Sequence, residues 1–90
     1  MKGGLSINNM EIKLYGAEWC PFCIKEKKFL ESKKIKFIYI DVNDNEEVAK
    51  YVLNKTKQTG IPVTEIIENK KSEFIIGFDE EVIRKKLKIK

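Results

Sequence analysis

The 90-residue chain has no histidine, two cysteines, two prolines and one tryptophan. Without histidine, the commonest metal ligand and the usual proton shuttle near neutral pH are both missing, so any site must be built from thiols, carboxylates and backbone. No apolar run approaches the roughly 20 residues of a membrane span. The amino end, MKGGLSINNM, carries one lysine but no apolar block of the signal-peptide kind, which makes the cytoplasm the expected compartment. Charge of a single sign is also missing: 18 basic and 14 acidic residues are interleaved to a net +4. That pattern describes a solvated, lysine-coated surface and not a nucleic-acid patch. Only the closing RKKLKIK is basic throughout, and cations suit the last turn of a helix. A chain of this length buries one modest core, so residues 1–10 read as a loose leader and 11–90 as a single domain, with nothing demanding more than a monomer.

Turn residues punctuate the chain at short intervals. Glu11 to Tyr15 alternates and reads as a strand, and Gly16-Ala17-Glu18-Trp19 turns out of it. Pro21 suits a first helical position, and Phe22 to Lys33 is rich in strong helix formers. Ile35 to Val42 (IKFIYIDV) reads as a second strand, apolar enough to be buried on both faces. Asp44 followed by Glu47 has the form of a capping box, with Val48, Ala49, Val52 and Leu53 at helical spacing behind it, to about Lys57. Gly60-Ile61-Pro62 then breaks the pattern. Val63 to Glu68 and Phe74-Ile75-Ile76, joined by a polar turn at Asn69-Lys70-Lys71, form a hairpin. After Gly77, Asp79 caps a final helix bearing Val82, Ile83 and Leu87 on one side. The order β-α-β-α-β-β-α predicts an α/β domain: a four-stranded sheet of mixed pairing, flanked by three helices.

Both cysteines fall in one stretch, Trp19-Cys20-Pro21-Phe22-Cys23. Proline disfavours the α conformation in the residue before it, which places Cys20 at the N-cap, where exposed amides and the helix dipole favour thiolate over thiol. Cys23 lies one turn along, within reach of a disulfide. A crosslink over so short a loop is a poor staple but opens and closes with little rearrangement. The pattern therefore predicts a redox pair, with Cys20 as the exposed nucleophile and Cys23 as the resolving thiol inside the helix. Two sulfurs and no histidine leave a four-ligand metal site only by pairing two chains or recruiting carboxylates, so no metal is expected. An iron-sulfur or other metal-binding module, and a non-catalytic adaptor, are the alternatives to weigh against an oxidoreductase.

Three blocks, LYGAEWCPFC, QTGIPVTEI and IIGFDEE, resemble in order and spacing the glutaredoxin branch of the thioredoxin superfamily, from Glu11 to Leu87, and most nearly its short members in anaerobic bacteria and archaea. The resemblance implies a thioredoxin-like fold and a cis Ile61-Pro62 bond facing the cysteines. It also implies substrate contacts from Trp19, Pro21 and Phe22 around the thiols, from Gln58, Thr59, Ile61 and Pro62, and from Gly77, Phe78 and Asp79. It implies no bound cofactor, glutathione as a co-substrate, and disulfide-bearing proteins as partners. Ala17 stands where many glutaredoxins carry a lysine, Trp19 is thioredoxin-like, Phe22 replaces a tyrosine and Phe78 a small residue. Each departure weakens the case for glutathione; the electron donor is either glutathione or a thioredoxin-reductase-type flavoenzyme, with Ala17 tilting the choice slightly to the second.

Overall fold

A computed structural model of the protein describes residues 10–89, so all of the expected leader except Met10 lies outside the described residues. The elements are β1 (Met10–Gly16), α1 (Pro21–Ser32), β2 (Ile38–Asp41), α2 (Glu46–Thr56), β3 (Val63–Glu68), β4 (Lys71–Ile76) and α3 (Glu80–Leu87). They form one four-stranded sheet in the order β2-β1-β3-β4. β1 runs parallel to β2 and antiparallel to β3, and β3 runs antiparallel to β4. This is the mixed sheet with three helices that the element order predicts.

Strand alternation sorts the side chains into two layers. Ile12, Leu14, Ile66 and Ile75 meet Leu30 of α1 and Ile83 and Leu87 of α3 in the main core. Tyr15 and Val63 turn to the opposite face and pack on Val52 of α2, with Val48, Ile40 and Phe74 around them. The first layer carries the thiols.

Three local expectations are corrected. The second strand is only four residues long and half-exposed, with Ile38 48% exposed, because it forms the sheet edge and pairs with β1 alone. Ile35 and Phe37 serve the main core from the connection that precedes the strand. The cap of α2 is Asn45, whose Oδ1 accepts from the Val48 amide at 3.1 Å. Asp44 is instead held in a turn by its amide donating to the Asp41 carbonyl, which moves the helix start one residue on. Lys71 opens β4, which leaves Asn69 and Lys70, both at positive φ, as a two-residue hairpin turn. Asp79 caps α3 as expected, accepting from the Val82 amide at 3.2 Å.

Candidate active site at the mouth of the first helix

Chain chemistry alone puts Cys20 where it is found. Pro21 takes the first helical position, and Cys20 is held extended (φ −88°, ψ 112°) as the N-cap of α1. Its Sγ accepts from the Cys23 amide at 3.2 Å and lies 4.0 Å from the Ile61 carbonyl oxygen. Its own amide donates to the Ala17 carbonyl at 3.1 Å, folding the preceding loop back over it. That turn corrects the expectation of an exposed cap: Cys20 is only 4% exposed, packed with Ala17, Cys23 and Ile61. Trp19 and Phe22, its neighbours in the chain, are 69% and 56% exposed, so neither ring is sealed in the core. Lys25 lies over the Phe22 ring and Lys27 over that of Tyr39. Pro21 is exposed.

Cys23 is fully buried. Burial, first, and its hydrogen bond with Cys20 push its thiol well above the ordinary range, while the Ala17 backbone pulls the other way. Gly16 is the reason Cys23 fits at all: a Cβ there would sit 2.8 Å from the Cys23 Sγ and 3.0 Å from the Tyr39 hydroxyl. Both cysteines are free thiols. Among the described residues no three His, Cys, Asp or Glu side chains gather as metal ligands.

The Ile61-Pro62 bond is cis, as the resemblance implies. It brings Ile61 against the thiols, and the Pro62 carbonyl accepts from the Gly77 amide at 2.8 Å, which ties the second and third blocks together. Gly77 has φ +82°, a conformation glycine adopts without strain. Gln58, Thr59 and Ile61 line a mostly apolar groove of about 320 Å³ against α2. Gln58 is occupied locally, its Oε1 accepting from the Gly60 amide at 2.6 Å and its Nε2 donating to the Gly60 carbonyl. Phe78 points away from the groove, packing on Phe29 at 5.8 Å between ring centres in the main core. Asp79 is exposed, with Oδ1 used as the α3 cap.

Two buried carboxylates escape the sequence reading. Thr64 and Glu65 are neighbours on β3 and so point to opposite faces. On the α2 side, Glu65 accepts from the hydroxyls of Tyr15 (2.6 Å), Tyr51 (2.7 Å) and Ser72 (2.7 Å). Burial raises its pKa, but the three hydroxyls, Tyr15 foremost, outweigh that and hold it below the ordinary value. On the thiol side, Glu26 of α1 accepts at Oε2 from the Thr64 hydroxyl and has no partner at Oε1. Burial lifts its pKa to about 7, against the Thr64 bond. The sequence signal was the spacing Cys23, Glu26, Leu30, which is the inward stripe of an amphipathic helix. Glu26 sits within IKEKK, where it reads as one more surface charge.

Residues 12–70 match the glutaredoxin family. The chain is 36% identical over 74 residues to an uncharacterized glutaredoxin-like 8.6 kDa protein in the rubredoxin operon of Clostridium pasteurianum, covering 82% of this chain and 93% of that one. Its fold is similar to a glutaredoxin from Methanosarcina mazei (TM-score 0.72, 30% identity, 86% of this chain and 77% of that one). It is also similar to the glutaredoxin-like NrdH-redoxin from Escherichia coli (TM-score 0.68, 25% identity, 83% and 92%), a protein described as having a thioredoxin-like activity profile. With the thiol pair, the cis proline and the sheet all in the positions this resemblance predicts, the chain belongs to the glutaredoxin family.

Proposed function

We propose that the protein is a dithiol-disulfide oxidoreductase that reduces disulfides of proteins or small molecules. The observation that carries this reading is the Cys20 sulfur at the mouth of α1, hydrogen-bonded by the Cys23 amide and facing the Ile61 carbonyl. Cys20 attacks a substrate disulfide and forms a mixed disulfide, and Cys23 displaces it, leaving the Cys20-Cys23 disulfide and a reduced substrate. With only a narrow strip of Cys20 accessible, the incoming sulfur reaches it between Trp19, Phe22 and the Ile61 backbone. Those side chains, with Pro21, Gln58, Thr59 and Gly77, form the substrate surface; Pro62, expected among them, is fully buried and contributes only through the bend it makes. An extended polypeptide laid along the backbone at Ile61 would be recognised largely without regard to sequence. Asp79, whose second oxygen is not used in capping, faces solvent at the start of α3.

Electrons come from a thioredoxin-reductase-type flavoenzyme in preference to glutathione. Ala17 offers no cation to a glutathione carboxylate, and Phe78 is committed to the core. The thioredoxin-like profile of the NrdH-redoxin relative supports the same choice.

Limiting iodoacetamide on the reduced protein should label Cys20 before Cys23, and Cys23→Ser should accumulate a mixed disulfide at Cys20 with a model disulfide substrate. Preferential labelling of Cys23, or turnover that survives Cys20→Ser, would remove the assignment. Coupled assays with a flavoenzyme reductant and with glutathione decide the donor.

A further inference from the structure

Among the described residues, one buried side-chain oxygen has no hydrogen-bond partner: Oε1 of Glu26. Glu26 is fully buried, one turn beyond Cys23 on the inward face of α1, and Cys23 is fully buried too. Side chains three apart on a helix are neighbours, and the charge of Glu26 is felt at the Cys23 thiol. Its other oxygen is pinned by Thr64 of β3. No cation compensates it, since the ion pairs among the described residues are Arg84–Glu80 and Lys86–Glu73. A half-satisfied buried carboxylate is expensive, so its presence beside a thiol that must lose a proton calls for an explanation beyond packing.

We propose, resting on the dithiol reading above, that Glu26 is the proton acceptor and donor for Cys23. In the resolving step the Cys23 S–H bond breaks and its proton passes to the Glu26 carboxylate. The sulfur electron pair forms the bond to Cys20, and the Cys20–substrate S–S bond breaks with its electrons leaving on the substrate thiolate, which takes a proton from water. The cysteine pair is oxidised and the substrate reduced. When a reducing dithiol reopens the Cys20-Cys23 disulfide, the Glu26 carboxylic acid returns its proton to the Cys23 thiolate. Cys23 is sealed from solvent, so an internal acceptor replaces one that water cannot supply.

The groups facing this pair are few. Cys20 lies at the cap, Thr64 comes from β3, and the Tyr39 hydroxyl approaches from β2 beside Gly16. β1 and α3 contribute Leu14 and Ile83 to this face, while Tyr15 and Glu65 turn away to α2. The pH at which Glu26 can accept is set by burial, which lifts its pKa to about 7, with the Thr64 bond acting downward.

The test uses the full chain and dithiobis(nitrobenzoate), which releases one coloured thiolate when Cys20 attacks and a second when Cys23 displaces the aryl group from Cys20. In the native protein the second release should accelerate as pH rises through about 7. In Glu26→Gln it should slow by roughly 100- to 10,000-fold and lose that inflection, the range expected for a positioned base, while the first release stays within about twofold. Thr64→Val, which removes the one hydrogen bond on Glu26, should move the inflection upward. An unchanged second release in Glu26→Gln, or a first release slowed in parallel, overturns the proposal. Should Glu26→Gln not fold, an inflection that stays put in Thr64→Val overturns it alone. A first release from Cys23 instead of Cys20 defeats the dithiol reading itself, and this assignment with it.

Discussion

Replacing Glu26 by glutamine should make the protein more stable, and by an amount that depends on pH. In the folded state burial raises the Glu26 carboxyl from its ordinary 4.5 to about 7. Between those values the folded chain holds a proton that the unfolded chain has released, so stability falls as pH rises through the window and stays low above it. The difference corresponds to roughly 3 kcal/mol of unfavourable interaction for the ionised form. Glutamine keeps the shape and can still accept from Thr64, but carries no charge. At pH 8.5 the variant should therefore be about 2–3 kcal/mol more stable, with the gain shrinking toward zero near pH 4.5. Urea titrations of the reduced proteins at both pH values measure this directly; with a typical slope of about 1–3 kcal/mol per molar, the midpoint should move up by about 0.7–3 M at the higher pH. An equal difference at both pH values, or a loss of stability at pH 8.5, would refute the electrostatic account of Glu26. A residue that weakens the fold while serving the site is the usual form of a stability–activity compromise.

Other perturbations address the far face and the thiol pocket. Tyr15→Phe leaves a buried carboxylate short of its strongest donor and should cost about 1.5–3 kcal/mol, the range for hydrogen bonds to charged groups, whereas Tyr51→Phe, at a residue 38% exposed, should cost less. Because the Glu65 carboxyl is held below its ordinary value, the stability it confers is present above about pH 4.5 and lost as pH falls through its folded-state pKa; acid unfolding of native and Tyr15→Phe proteins should show that part diminished in the variant. Gly16→Ala forces a methyl against the Cys23 sulfur and should cost about 1–3 kcal/mol, as overpacking does, while slowing the second aryl release.

Much of the fold was legible because the chain announces it locally. Pro21 after Cys20, Asp79 before a helical stripe and the polar turn at Asn69 each act within a few residues, and each element they delimit is present. What failed depended on distant neighbours. The run IKFIYIDV carries the composition of a central strand, but its place at the edge is fixed by β3 pairing with β1, which nothing in that run encodes. The shift of the α2 cap from Asp44 to Asn45 turns on a competing turn closed by Asp41. At the site, the placement of the cysteines at the helix mouth and the cis proline were readable, the last only through resemblance. The accessibility of Cys20 was not, because the Ala17 turn and Ile61 reach it from outside the motif. Glu26 and Glu65 look like surface charges until the sheet places Thr64, Tyr15, Tyr51 and Ser72 against them.

The flanks of the sheet bear on how visitors dock. One lateral strand is only four residues long, and the other presents exposed Lys71, Ser72 and Glu73 along its first half. Stubby and charged margins discourage foreign chains from zipping on sideways. On the proposed function, a polypeptide seeking main-chain company would thereby be steered to the bend ahead of Pro62, beside the Cys20 sulfur, and away from either margin of the sheet.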